Sequence, residues 1–404
     1  MTTTIEDIKI IDTDTHVTEP PDLWTSRLPR KWASICPRVE LNQSSGLECW
    51  RVGDEWLNPV AYYSVAGWPE YPPSHPPTLA EADSGAWDPA ERLRRMDEYG
   101  IYAQVLYPNI IGFDTQVFMT QTDHDFSLAC VRAYNDFLTD FASEDPNRLV
   151  PIAMLPFWDL EASVAEIVRC AELGHRGVLF ANQYENAGLP PFVDPHWDPV
   201  LHTASEYQMS INFHASFSSK SSMAPSALAK LTLETKQSIA RDPSNRDARA
   251  EYARLGAMSV MSNHNAILRL LTSGLCDRFP TLPFVSVESG FGYVPYLLEA
   301  IDWHWVNFGA RDAFSERLLP SEYFRRQAYG TFWFERGTLA LLPDYADNFM
   351  FETDYPHPTS ISPGPASVVD IPRRHAASLL EGLPEDVVKK VLHDNAARLY
   401  RLDD

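Results

Sequence analysis

Eight short apolar runs, each followed by a longer helical or polar stretch, restrict the fold of this sequence more than any other feature. They lie at 8–14 (IKIIDTD), 102–107 (YAQVLY), 149–155 (LVPIAML), 177–180 (GVLF), 209–213 (MSINF), 283–288 (PFVSVE), 329–334 (YGTFWF) and 348–352 (NFMFE). Each is bounded by turn residues and apolar enough to be buried on both faces, as parallel strands are. Helical segments with start and stop signals separate them. Asp88-Pro89 opens ERLRRMDEY, which stops at Gly100, and Asp159 opens LEASVAEIVRCAEL, which stops at Gly174. This alternation predicts an α/β fold, a distorted (β/α)8 TIM barrel rather than an open sheet.

The spacing is uneven in two places. A first insertion, about residues 20–87, is rich in Pro and Trp and contains CWRVGDEWL, which reads as a small hairpin. A second, about residues 215–262, is polar and rich in Ala and Ser, and directly follows the fifth run. Both are expected to lie at the C-terminal mouth of one barrel domain spanning 1–404, as lids or binding loops. The C-terminal DVVKKVLHDNAARLYRL reads as a closing amphipathic helix.

Composition removes several function classes. With 45% hydrophobic and 22% charged residues the chain is globular rather than disordered. Its 33 basic and 55 acidic residues sum to −22, which repels phosphate backbones and anionic lipid, so neither nucleic acid nor membrane is an expected partner. An anionic substrate would then need a local cation, which a bound metal supplies. The five cysteines (36, 49, 130, 170, 276) are scattered with no CxxC, and read as reduced packing residues. The acidic opening MTTTIEDIKIIDTD does not resemble a signal peptide, no apolar stretch approaches ~18 residues, and a cytoplasmic location is expected. No Walker-type GxxxxGK[ST], no GxGxxG and no GxSxG occurs. SFSSKSS in the second insertion imitates a Ser–Lys nucleophile but reads as polar lid.

The chemistry-bearing residues gather at strand ends. In IDTDTHVTEP, side chains two apart share a face of an extended strand, so Asp12, Asp14 and His16 should project together. The last two sit at the strand's C-terminal end, where barrel active sites lie, and can grip one divalent cation. His214 ends the fifth run, and Asp354 follows the eighth in FETDYPHP. Singly, each has an ordinary reading as a capping Asp, a core His or a turn Asp. Together they put metal-capable side chains on strands one, five and eight at one mouth, an open catalytic site rather than a closed structural one.

The sequence resembles the amidohydrolase superfamily, in the branch containing aminocarboxymuconate-semialdehyde decarboxylase and γ-resorcylate decarboxylase. The likeness runs through DTDTH, RMDEYGIYAQVLYP, DPNRLVPIAMLP, HWDPV, CDRFPTLPFVSVESGFGYVP, ETDYPH and NAARLY. It implies one divalent metal ion held by Asp14, His16, His214 and Asp354, with zinc expected and manganese admitted by the two carboxylates. Asp14 stands where better-known decarboxylases carry His or Glu. Asp354 is implied as general base. In ESGFG, Glu288 replaces the catalytic His of those decarboxylases, and Phe291 falls where some relatives have an acid. Proton transfer is therefore expected of Glu288 or of His264, which opens the helix after the second insertion. His357 is expected to face substrate or solvent, and Glu19 to be a partner of the site or a turn residue. The leading expectation is a metal-dependent hydrolase using a metal-activated water on a small cyclic or carbonyl-containing substrate. The alternative is a nonoxidative decarboxylase of an aromatic or vinylogous carboxylate, and a third reading is a barrel with a structural metal and no catalysis. The expected partner is a small-molecule substrate, and the expected assembly a homodimer or larger homo-oligomer.

Overall fold

The computed structural model of the protein describes residues 5–109, 123–215, 227–358, 360–364 and 369–402. All eight apolar runs form strands. They are β1 (Ile11–Val17), β5 (Ala103–Pro108), β6 (Leu149–Ala153), β7 (Gly177–Leu179), β8 (Ser210–His214), β9 (Phe284–Val287), β10 (Ala328–Phe332) and β11 (Phe349–Phe351). The strands form one sheet in the order β1-β5-β6-β7-β8-β9-β10-β11, with parallel pairing throughout. Nearly every residue of these strands is buried, as apolar runs covered on both faces require.

The sheet closes on itself between its first and last strands. Thr13 Oγ1 donates to Phe351 O (2.9 Å), Asp354 N to Asp14 O (2.9 Å) and His16 N to Tyr355 O (2.7 Å), with a parallel bridge between Thr15 and Tyr355. This seam brings the first and last predicted ligand strands together. The helix signals hold as well. Asp88 caps Pro89–Tyr99 by accepting from Glu91 N, Gly100 ends it at φ 72°, and Asp159 caps Leu160–Glu172 by accepting from Ala162 N.

Both insertions carry more structure than their sequences announce. The first holds a three-stranded antiparallel sheet of β2 (Arg38–Asn42), β3 (Leu47–Val52) and β4 (Glu55–Pro59). The expected hairpin is its β3–β4 half. The second forms two helices, Ala227–Arg241 and Arg246–Val260, which pack on each other rather than running as a loop. SFSSKSS lies outside the described residues. The insertions meet where Lys236 Nζ sits 4.7 Å over the Tyr62 ring. The predicted closing helix is Glu385–Lys389 continuing through a wider turn, Lys390–Asp394, into Asn395–Tyr400. The five cysteines are buried and free. Among the described residues no helix is long and apolar enough to cross a membrane.

Candidate metal centre

β1 supplies the first side chains, but not as strict alternation predicts. Its register against β5 shifts between Asp12 and Thr15, and the shift separates Asp12 from the other two. Asp12 accepts from Thr353 N (2.8 Å), Thr353 Oγ1 (2.6 Å) and Gln104 Nε2 (3.0 Å), so it ties β1 to β5 and to the turn after β11. The fully buried Arg92 braces the same region, donating to His16 O (2.6 Å), Gln104 Oε1 (3.2 Å) and Gly85 O (2.5 Å). Asp12 is a strut, and the expectation that it projects with Asp14 and His16 is corrected.

Asp14, His16 and His214 converge. Asp14 Oδ1 is 3.2 Å from His214 Nε2 and 3.5 Å from His16 Nε2, with all three residues buried. His16 Nε2 is also 3.4 Å from Asp354 Oδ1, and Asp354 Oδ1 is 3.1 Å from His357 Nδ1. The donors thus form two triads, Asp14–His16–His214 and His16–Asp354–His357, which share His16. Two ligands on one ion at about 2.1 Å stand about 3.0–3.4 Å apart at octahedral to tetrahedral angles, close to these separations.

The histidine tautomers fit a cation. His16 Nδ1 lies 2.6 Å from Pro108 O and His214 Nδ1 lies 2.9 Å from Ala215 O. A carbonyl only accepts, so each Nδ1 carries the hydrogen and, in the neutral ring, each Nε2 lone pair faces Asp14. Burial holds His16 well below the usual imidazole range, helped by His357 and opposed by Asp354, so its ring is neutral. A lone pair set against a carboxylate calls for a positive charge between them. The acids point the same way. Burial pushes the Asp14 carboxyl well above its usual range, with Asp354 and Asp12 adding repulsion. Glu352 and Glu288 are raised by the same cause. A divalent cation relieves this crowding, and a set of imidazoles and carboxylates is suited to hold one.

Glu288 directly follows β9 and is buried, with Oε2 3.6 Å from His214 Nδ1. Its N–H donates to Thr331 Oγ1 (3.0 Å) and Glu352 Oε2 (3.2 Å). Glu288 and Asp354 are both held in left-handed backbone, at φ 52° and 58°. For residues with a side chain this costs of order 1–3 kcal/mol each and is tolerated where surrounding structure fixes it, commonly at functional sites.

Other expected residues lie outside the Asp14–His16–His214 triad. His264 does open its helix, His264–Thr272, but its ring stacks on Tyr293 at 3.7 Å and belongs to neither triad. Phe291 is core, packed on Tyr345 and Phe349. His357, expected at substrate or solvent, is partly buried, with its ring 3.6 Å from that of His16 at 14°. Glu19 is buried and accepts from Asn109 N (3.1 Å). Two residues escaped sequence reasoning. Glu352 ends the eighth apolar run, a signal that went unused; Asn109, whose Oδ1 is 2.8 Å from His357 Nε2, follows YP with no signal at all.

The fold and this centre define a metal-dependent enzyme built on a (β/α)8 barrel. A model of the amidohydrolase family matches residues 11–402, and the chain belongs to that family. It is 26% identical over 330 residues to the γ-resorcylate decarboxylase of a Polaromonas species, covering 77% of this chain and 87% of that one. An amidohydrolase from Mycobacterium avium subsp. paratuberculosis shares the fold with a TM-score of 0.69 and 19% identity, over 98% of this chain and 99% of that one. A dihydroxybenzoic acid decarboxylase from Polaromonas, solved with manganese and the inhibitor 2-nitroresorcinol, does so with a TM-score of 0.58 and 20% identity, over 98% of each chain. Relatives of this kind back the decarboxylase expectation better than the leading hydrolase one.

Proposed function

We propose that the protein is a divalent-metal-dependent nonoxidative decarboxylase of a small aromatic carboxylate. The observation that carries this is Glu288, a buried acid fixed by its backbone beside His214, at the strand end where the resembling decarboxylases keep their proton-transfer group. The likeness to γ-resorcylate decarboxylase over most of the chain supports the same reading.

The ion, zinc or manganese, supplies when bound the positive charge that an anionic substrate requires in a chain of net charge −22. Asp14, His16, His214 and Asp354 would hold it. Burial raises the Glu288 carboxyl well above the usual carboxylate range, and in its protonated form it can give a proton to the ring carbon that bears the carboxylate. The bond from that carbon to the carboxylate then breaks, its electron pair returns to the ring, and CO₂ leaves. Glu288 regains its proton from water. The first insertion, whose Val65 and Ala66 N–H groups donate to Pro356 O beside His357, screens this side of the ring from bulk water.

The competing hydrolase would use Asp354 as base toward water. Dihydroxybenzoates and, beside them, small cyclic amides and esters of phenolic acids, incubated with the metal-loaded protein in oxygen-18 water, separate the two. CO₂ release in step with loss of the carboxylate is the expected result. Oxygen-18 in the organic product without CO₂ would show a hydrolase.

A further inference from the structure

We propose that the outer face of the helix Val294–Asn307 is a self-association surface, on which a second copy of this chain packs about a twofold axis. The proposal rests neither on the metal nor on the reaction.

This helix is apolar on both faces. Val294, Leu297, Leu298 and Trp305 are buried, at the spacings of one helical face. Tyr296, Trp303 and Val306 follow one another at seven and three residues on the other face, and are 78%, 67% and 48% exposed. Phe308, just past the helix end, is 81% exposed. A helix that faces water ordinarily carries charge there, as Pro89–Tyr99 does with the ion-paired Glu91, Arg94 and Glu98. A helix apolar all round is one that something covers.

The patch has the size of an interface. A covered aromatic side chain buries about 150–250 Å², so the exposed parts of Tyr296, Trp303 and Phe308 alone come to roughly 450 Å². That is the scale of functional patches on monomers, and more than half of the ~800 Å² that each partner buries in a standard interface. Tyr and Trp are also the residue types that carry most binding energy where two proteins meet.

The charges select a second copy as the occupant. Arg311 is exposed and has no ion-pair partner among the described residues, although the chain has 55 acidic residues against 33 basic ones. Glu299, four residues before Trp303, is likewise exposed and has none. Antiparallel pairing about a twofold axis near Trp303 sets Tyr296 and Glu299 of one copy against Phe308 and Arg311 of the other. Aromatic then covers aromatic and each charge meets its opposite, twice, as a self-complementary interface requires. The net charge of −22 disfavours an anionic lipid surface in the same place.

The test is the mass of the full-length, metal-loaded protein in solution, by sedimentation velocity and light scattering at micromolar concentration. The wild type should be a dimer or a larger even-numbered assembly. Trp303→Glu combined with Phe308→Glu should halve that mass and raise the dissociation constant by about 100-fold or more. Glu299→Arg and Arg311→Glu should each weaken association by about fivefold or more, and the two together should restore it to within about twofold. Should the aromatic double variant fail to fold by circular dichroism, the charge exchange decides. A wild type that stays monomeric at about 50 μM would overturn the proposal. So would an aromatic double variant that remains assembled, or a charge exchange that recovers nothing. Wild type that instead floats with phosphatidylcholine vesicles would overturn it in favour of a lipid surface.

Discussion

At the scale of single residues, Glu288 is where the chemistry and the sequence diverge most informatively. Its backbone is held at φ 52° and its carboxyl lies 3.6 Å from the His214 imidazole, a strained placement of the kind common at functional sites. Glu288→Gln keeps the size and most hydrogen bonds but removes the proton. Its kcat should fall by about 10²–10⁴ while zinc content and thermal midpoint stay near wild type. Near-normal turnover in a metal-replete variant would move the role to another group, with His264 next in line through its neighbour Tyr293. Asp14, His16, His214, Asp354 and Glu288 lie close together, as the sequence led us to expect, because each sits at or just past the end of an apolar run and these ends share one mouth. Asp12 was misread because alternation assumes regular pairing, and the β1 register shift breaks it. His357 was visible only as a residue near Asp354. Its partner Asn109 is 248 positions away, a distance that one sequence does not reveal.

At the scale of elements, one buried amide joins three of them at the mouth. Asn263 Nδ2 donates to Phe213 O (2.7 Å) at the end of β8 and Val287 O (3.2 Å) at the end of β9, and its Oδ1 accepts from Asn182 Nδ2 (2.7 Å). The helix His264–Thr272 is thereby pinned to the strands that present His214 and Glu288. Asn263→Ala leaves these buried groups without their partner at a cost of about 1–3 kcal/mol for each unsatisfied group. Denaturant unfolding should therefore show a free energy of unfolding lowered by roughly 2 kcal/mol or more, and an unchanged value would mean that water replaces the amide. The barrel elements were readable because buried parallel strands are continuous apolar runs between cap residues. The helices of the second insertion were not. In Arg246–Val260 only Ala248 and Leu255 are buried, so no apolar stripe of helical period marks the segment. The strand β2, with no fully buried residue, was hidden for the same reason.

At the scale of the whole molecule, the concentration of acid at one mouth makes stability depend on pH and on metal together. Burial pushes Asp12 up to about 7 against the hydrogen bonds of Thr353 and Gln104, and raises Asp14, Glu288 and Glu352 well above the carboxylate range. These folded values exceed the unfolded ones, so above pH ~4.5 the unfolded chain has lost protons that the folded chain still binds. Folding stability then falls as pH rises, by up to about 1.4 kcal/mol per pH unit for each group so held. The buried histidines act in the opposite sense. His16 is depressed and His175 is lowered to about 4, both chiefly by burial, so their contribution is lost as pH falls below ~6.5. At pH 6.5 the folded rings are neutral and about half of the unfolded ones still hold a proton, so from there to pH 8 the histidines add only a small opposing slope and the carboxyls dominate. Chelator-stripped protein should therefore melt several degrees lower at pH 8 than at pH 6.5. Zinc should raise the midpoint more at pH 8 than at pH 6.5, because binding releases the protons that the cluster otherwise keeps. Differential scanning calorimetry at the two pH values, with and without metal, reads both effects. A stripped protein whose midpoint is level or rises over this interval would show that the acids are ionised without a cation, and that the mouth is not built around one.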